Sequence, residues 1–328
     1  MTSRLDEYKN IFFIGVAGTG MSAIAQYLAG IGKQVSGSDR YFLPGTYNET
    51  KEKLEAAGIQ CFLQNGEGIT PDTSLVVVST AVEDTVPEVQ KARSMSIPIL
   101  KRSELLALIA ASKKTIAVGG TSGKSTTSAM LFDILEKAGM HPSIISGAGL
   151  TSIIREGKIG NAKVGEGDWL VIEADESDGS IVQYEPEVGL LLNIDKDHQE
   201  IDELMQIFGK FKNNTRGLFI VNQANLLARQ LSKDLVHDFS ADPLHDAGYM
   251  ATAFNQQGLQ ISFTVRDTRF EMNTVGKHNM ENALAAIAVA NQLGVSLQTC
   301  AEALKNYEGI YRRHQVLGKK NGVYVIDD

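Results

Sequence analysis

Short apolar runs alternate with stretches whose apolar positions recur at helical spacing along almost the whole 328-residue chain. Residues 11–16, Ile-Phe-Phe-Ile-Gly-Val, read as a buried strand. Residues 21–32 have helical spacing and end at glycine, and residues 34–39 read as a second strand. A helix is expected over 50–58, a strand over 74–80, and a helix with proline in its first turn over 87–95. Residues 97–112 read as a short strand followed by a helix. This alternation predicts a parallel sheet with helices on its faces, ending near Ser112. A second α/β series begins at 115–118, with strands at 169–175, 188–195 and 217–223 and a strongly apolar helix over 282–294. Residues 259–276 read instead as an antiparallel hairpin late in that series, and residues 314–328 as two strands around a Lys-Asn-Gly turn.

The length implies two or more domains, and 43% apolar residues are enough to build their cores. A net charge of −8 argues against a general nucleic-acid binder, which needs clustered Lys and Arg, but leaves room for a local nucleotide site. Cys61 and Cys300 lie far apart and are expected to be reduced thiols in a cytoplasmic protein. No apolar run approaches the ~20 residues of a membrane span, and the polar N-terminus shows no signal peptide. The sequence sets no oligomeric state.

Candidate chemistry concentrates in glycine-rich strand–helix junctions. Residues 115–131 read TIAVGGTSGKSTTSAML. The glycines let the backbone turn tightly and aim N–H groups at one point, and a helix beginning near Lys124 adds its positive end. Lys124 offers a mobile cation for terminal phosphates, and the Ser125 hydroxyl can ligate Mg²⁺. The segment fits the short form Gly-Thr/Ser-x-Gly-Lys-Thr/Ser, here Gly120-Thr121-Ser122-Gly123-Lys124-Ser125, followed by Thr126. Nearer the N-terminus, Gly15, Gly18 and Gly20 lie between a strand and a helix with G-x-x-G-x-G spacing, and Asp39 ends the next strand. An acid at that place is where an NAD enzyme holds its ribose, so NAD is the rival ligand for this region.

The short phosphate loop resembles the ATP site of the Mur ligase family, the ATP-dependent amide-forming enzymes of peptidoglycan precursor synthesis. The similarity extends over nearly the whole chain. Residues 172–180 (IEADESDGS) resemble the family's acidic motif, 193–200 (NIDKDHQE) its Asn-Ile-x-x-Asp-His motif, and 276–286 (GKHNMENALAA) its adenine loop. Residues 307–318 (YEGIYRRHQVLG) resemble its hinge with paired arginines. Residues 13–39 and 76–106 are similar to the alanine-adding branch. After His198 the chain is shorter than the family's usual aromatic-containing loop, and Ser122 stands where the alanine-adding members usually have histidine.

The resemblance implies an α/β fold: a Rossmann-like UDP-sugar domain over 1–112, a central P-loop ATPase domain over 113–310, and at 311–328 the hinge and first strands of a third domain that is otherwise absent. It implies ATP and Mg²⁺ as cofactors, with Ser125, Glu173 and His198 as metal ligands. Lys124, Glu173 and His198 would carry the chemistry. His278, Asn279 and Asn282 would hold adenine, and Arg312 or Arg313 would reach the nucleotide phosphates. A UDP-sugar diphosphate would sit on the turn Gly18-Thr19-Gly20-Met21-Ser22, with Ser38, Asp39, Ser79 and Arg102 near the uridine or sugar. The implied reaction activates the lactyl carboxylate of UDP-N-acetylmuramate as an acyl phosphate and joins it to an amino acid, L-alanine in this branch. The alternatives are a tripeptide-adding recycling ligase, a diverged paralogue, a binding-only regulator, and an NAD-dependent oxidoreductase with an accessory P-loop. The 328 residues are expected to be a fragment that binds both nucleotides but forms little amide by itself, because the amino acid would be held by the third domain.

Overall fold

The computed structural model describes residues 4–177, 179–196, 200–313, 315–320 and 323–327. Asp178, Asp197, His198 and, of the expected Lys-Asn-Gly turn, Asn321 and Gly322 lie outside the described residues.

The first sheet contains strands β1 (Asn10–Ile14), β2 (Gln34–Asp39), β3 (Gln60–Leu63), β4 (Leu75–Val78) and β5 (Ile99–Lys101). They are parallel and ordered β3-β2-β1-β4-β5. Helices α1 (Thr19–Gly30), α2 (Glu49–Ala56), α3 (Pro87–Ser94) and α4 (Arg102–Ala111) make the crossovers. Continuous apolar strands such as Phe12-Phe13-Ile14 are covered on both faces and fully buried, as parallel sheets require. Chain order reverses between β1 and β4, and at such a switch point the strand ends open a crevice.

The second sheet contains β6 (Lys114–Gly119), β7 (Ser143–Ile145), β8 (Ala162–Lys163), β9 (Trp169–Ala174), β10 (Val188–Leu191) and β11 (Leu218–Val221), ordered β11-β10-β6-β9-β7-β8. Only β8 pairs antiparallel. Helices α5 (Lys124–Lys137), α6 (Thr151–Ile154) and α7 (Ile201–Asn214) belong to this unit. The α7 helix occupies a stretch after His198 for which the sequence reading gave no element: Leu204, Phe208 and Phe211 recur at helical spacing and are buried.

The late hairpin is present as β14 (Gln260–Val265) and β15 (Thr268–Met272), widened by β12 (Phe239–Ser240) and β13 (Tyr249–Gln257). Helix α8 (Lys277–Gln292) follows, with a run of alanines that lets α5 approach closely, and then α9 (Leu297–Lys305). Strands β16 (Gln315–Lys320) and β17 (Val323–Asp327) pair antiparallel.

One apolar cluster runs without a break from α1 and α4 of the first unit to β9, α7 and β11 of the second. A polar tether reinforces it. Asn161, 1% exposed, donates to the Thr19 carbonyl at 2.7 Å and to Ser22 Oγ at 2.9 Å, and accepts from Gln26 Nε2 at 2.7 Å. The glycine turn that begins α1 is thereby fixed to the second unit.

Candidate functional site

Strand β6 delivers the chain to the phosphate loop, and β10 runs beside it and delivers Asn193. The Asn193 side chain closes the loop: Oδ1 accepts from Thr121 Oγ1 at 2.8 Å and from Ser122 N at 2.9 Å, while Nδ2 donates to the Ser122 carbonyl at 3.2 Å. Gly123 precedes α5 with φ +83°, a left-handed conformation that glycine adopts without strain. The opening N–H groups of α5 are thus presented to a cavity of about 470 Å³ lined by Thr121 to Thr126, Asn193, His278, Asn279, Glu281, Asn282 and Arg313. A neighbouring cavity of about 260 Å³ shares Thr126, Asn279 and Arg313 with it. Thr151 Oγ1 and Tyr307 Oη, both in residues lining that second cavity, are buried with no partner among the described residues.

Two carboxylates from the end of β9 hold the two reactive side chains of the loop. Glu173 Oε2 accepts from Ser125 Oγ at 2.8 Å, and its Oε1 accepts from Ser146 Oγ and Gly147 N, each at 2.7 Å. Glu176 Oε2 lies 2.8 Å from Lys124 Nζ, which also donates to the Gly120 carbonyl at 2.6 Å. Ser125 and Glu173 offer adjacent hard oxygen donors, which suits Mg²⁺ once phosphate oxygens and water complete its shell. Among the described residues, no group of three His, Cys, Asp or Glu side chains could hold a metal ion by itself. His198, the third expected ligand, lies outside the described residues.

Helix α8 supplies the opposite wall. Asn282 Oδ1 accepts from Thr127 Oγ1 at 3.3 Å. Asn279 is 6% exposed and donates to Thr274 Oγ1 and to the Val275 carbonyl, so its amide nitrogen organises the loop before α8. Burial raises the Glu281 carboxyl above its ordinary range, with Lys277 opposing. Of the two hinge arginines, Arg313 lines both cavities, while Arg312 Nε lies 3.6 Å from Asp327 Oδ2.

At the switch point of the first sheet, a cavity of about 400 Å³ is lined by Gly15, Ala17, Gly18, Asp39, Arg40, Tyr41, Gln64, Ser79 and neighbours. Asp39 builds its wall, accepting from Ala17 N and Tyr41 N, each at 3.0 Å. Arg102, at the start of α4, lies against Gly20: a Cβ there would stand 3.2 Å from its Cδ and Nη1. Met21 and Ser22 face inward, 3% and 1% exposed, with Ser22 turned to Asn161, so the turn offers backbone rather than these side chains to a ligand. Ser38, beside Asp39 at the end of β2, is fully buried.

Sequence reasoning did not single out Glu176, Ser146, Glu281 or Asn161 for the site. Glu176 sat in an acidic run with several equivalent candidates, and the contacts of the other three arise only from tertiary approach.

Residues 10–114 match the Mur ligase family, catalytic domain, and residues 118–290 the Mur ligase middle domain. A UDP-N-acetylmuramate–L-alanine ligase of Carboxydothermus hydrogenoformans is 37% identical over 97% of this chain and 69% of its own length. One of Syntrophomonas wolfei is 38% identical over 98% of this chain and 70% of its own. The crystal structure of a UDP-N-acetylmuramate–alanine ligase of Thermotoga maritima aligns with a TM-score of 0.83 at 28% identity, over 97% of this chain and 74% of that one.

Proposed function

This chain belongs to the Mur ligase family, and on that premise we propose that it joins L-alanine to UDP-N-acetylmuramate at the expense of ATP, a step of peptidoglycan synthesis. One observation carries the reading: Lys124 and Ser125 begin α5 within hydrogen-bond reach of two carboxylates, Glu173 of β9 and Glu176 just beyond it, at the mouth of a nucleotide-sized crevice.

Residues 1–112 are assigned to the sugar nucleotide and 113–310 to ATP, with 311–328 as hinge and first strands beyond. The loop from Gly120 to Thr126 takes the triphosphate on backbone N–H groups, with Lys124 as the adjacent cation. His278, Asn279 and Asn282 line the approach for the adenosine end, and Arg313 is favoured over Arg312 for the phosphates because it lines the cavity. Ser125 and Glu173 would hold Mg²⁺, with His198 as the family's further ligand, and the ion would neutralise phosphate charge. UDP-N-acetylmuramate lies across the first sheet's switch point, its diphosphate on the Gly18–Ser22 turn and Asp39, Ser79 and Arg102 nearby.

The lactyl carboxylate attacks the γ-phosphorus and ADP leaves. The α-amine of L-alanine then attacks the acyl carbon, loses a proton, and phosphate leaves. No covalent bond to the protein is needed, so the protein's contribution is alignment and charge neutralisation. Both oxygens of Asp39 already accept backbone N–H groups, which favours a structural role over a dinucleotide ribose. No helix among the described residues is long and apolar enough to cross a membrane, in keeping with a cytoplasmic site of action.

Thermal unfolding with single ligands tests the assignment. A ligand that binds only the folded protein at about 100 times its Kd adds about 2.7 kcal/mol. UDP-N-acetylmuramate and Mg-ATP are each expected to raise the melting temperature, and NADH to leave it unchanged. Stabilisation by NADH without stabilisation by UDP-N-acetylmuramate would move the first unit to the oxidoreductase class.

A further inference from the structure

Lys124 is the cation that the phosphates need, yet its ammonium is already engaged. It has three N–H bonds to give. Among the described residues it donates to the Gly120 carbonyl at 2.6 Å and meets both oxygens of the Glu176 carboxylate, Oε2 at 2.8 Å and Oε1 at 3.2 Å. The pair is shielded, with side-chain exposures of 17% for Lys124 and 7% for Glu176. Such a pair is far less screened by water than an exposed one, and removing one partner has a large effect on the other. The site repeats the device three residues apart on one segment, with Glu173 holding Ser125 and Glu176 holding Lys124.

We propose that Glu176 is a positioning residue for phosphoryl transfer: it holds Lys124 in the nucleotide-free loop and gives it up to the triphosphate. A phosphate oxygen that draws the ammonium to itself displaces the Glu176 carboxylate, which lies against the ammonium through both of its oxygens. The displaced carboxylate then faces the incoming negative charge across a shielded gap. That repulsion is greatest for metal-free ATP and smallest when a divalent cation accompanies the phosphates. Glu176 therefore raises the site's preference for Mg-ATP over free ATP. Lys124 is also held in place by the Gly120 carbonyl and Glu176, so that the exchange requires a movement of its ammonium rather than a search by a mobile chain.

This inference rests on the ATP reading above, and calorimetric titration of ATP, once in excess EDTA and once in excess Mg²⁺, separates the two. Glu176→Gln removes the competing charge and keeps the shape. It is expected to tighten binding of metal-free ATP by roughly fivefold or more, with a smaller gain for Mg-ATP, so the ratio of the two Kd values shrinks. Glu176→Asp, one methylene shorter, is expected to shift the ratio the same way by less, and it decides the matter if the glutamine variant does not fold. A residue that only supports the fold would change the melting temperature and leave that ratio alone. An unchanged ratio in both variants overturns the proposal. Lys124→Ala serves as the control: if it binds ATP as the parent protein does, the ATP reading itself fails, whatever Glu176 does.

Discussion

At Gly123 a Cβ would lie 2.5 Å from Asn282 Oδ1, on a backbone with φ +83°. An L side chain in that conformation costs roughly 1–2 kcal/mol before any clash is relieved. Gly123→Ala must also push away the Asn282 amide that bonds Thr127, so both walls of the cavity move. The variant is expected to melt lower by a few degrees and to lose at least about tenfold in Mg-ATP affinity. Parent-like affinity in a calorimetric titration would show that the loop does not cradle phosphate. The loop could be read directly because its working residues are neighbours in the chain. The identity of the carboxylate on Lys124 could not, since Asp175, Glu176 and Asp178 are equivalent on paper and only the path of the chain after β9 selects Glu176. That Arg313 rather than Arg312 lines the two cavities was hidden for the same reason.

Among elements, α1 joins the two units. Its first turn carries the glycines that would face a diphosphate, and its inward face is tethered by Asn161. Asn161→Ala leaves the half-buried Gln26 amide and the Thr19 carbonyl without that partner, at a cost of about 1–3 kcal/mol. If the tether sets the position of the turn, the variant weakens UDP-N-acetylmuramate binding severalfold and leaves Mg-ATP affinity unchanged. Equal loss for both ligands would mark general destabilisation instead. Strong periodicity made α1, α4 and α8 legible from the apolar pattern. Strand β13 escaped because, after its first residues, it is exposed and shows no regular apolar alternation, and it is held by its pairing with β14. Helix α7 was given no element in the sequence reading, although its aromatic and aliphatic spacing is helical.

Across the whole molecule, a parallel sheet and a mostly parallel one turn their strand ends toward crevices, one at β1 and β4 and one at β6 and β10. The alternation of strands and helices made the α/β class and the two units readable in advance. Strand order and the continuous apolar cluster between the units were not readable, because both depend on pairings between residues distant in sequence. The central claim is that these two crevices together activate a carboxylate with ATP. It is tested most directly by positional isotope exchange, using ATP with ¹⁸O in the β,γ-bridge and UDP-N-acetylmuramate, without any amino acid. Reversible formation of the acyl phosphate frees the β-phosphate of ADP to rotate, so the label is expected to migrate from the bridge into non-bridging positions. The migration should require UDP-N-acetylmuramate and disappear in Lys124→Ala. Label that stays in the bridge while both nucleotides are bound would contradict carboxylate activation by this protein.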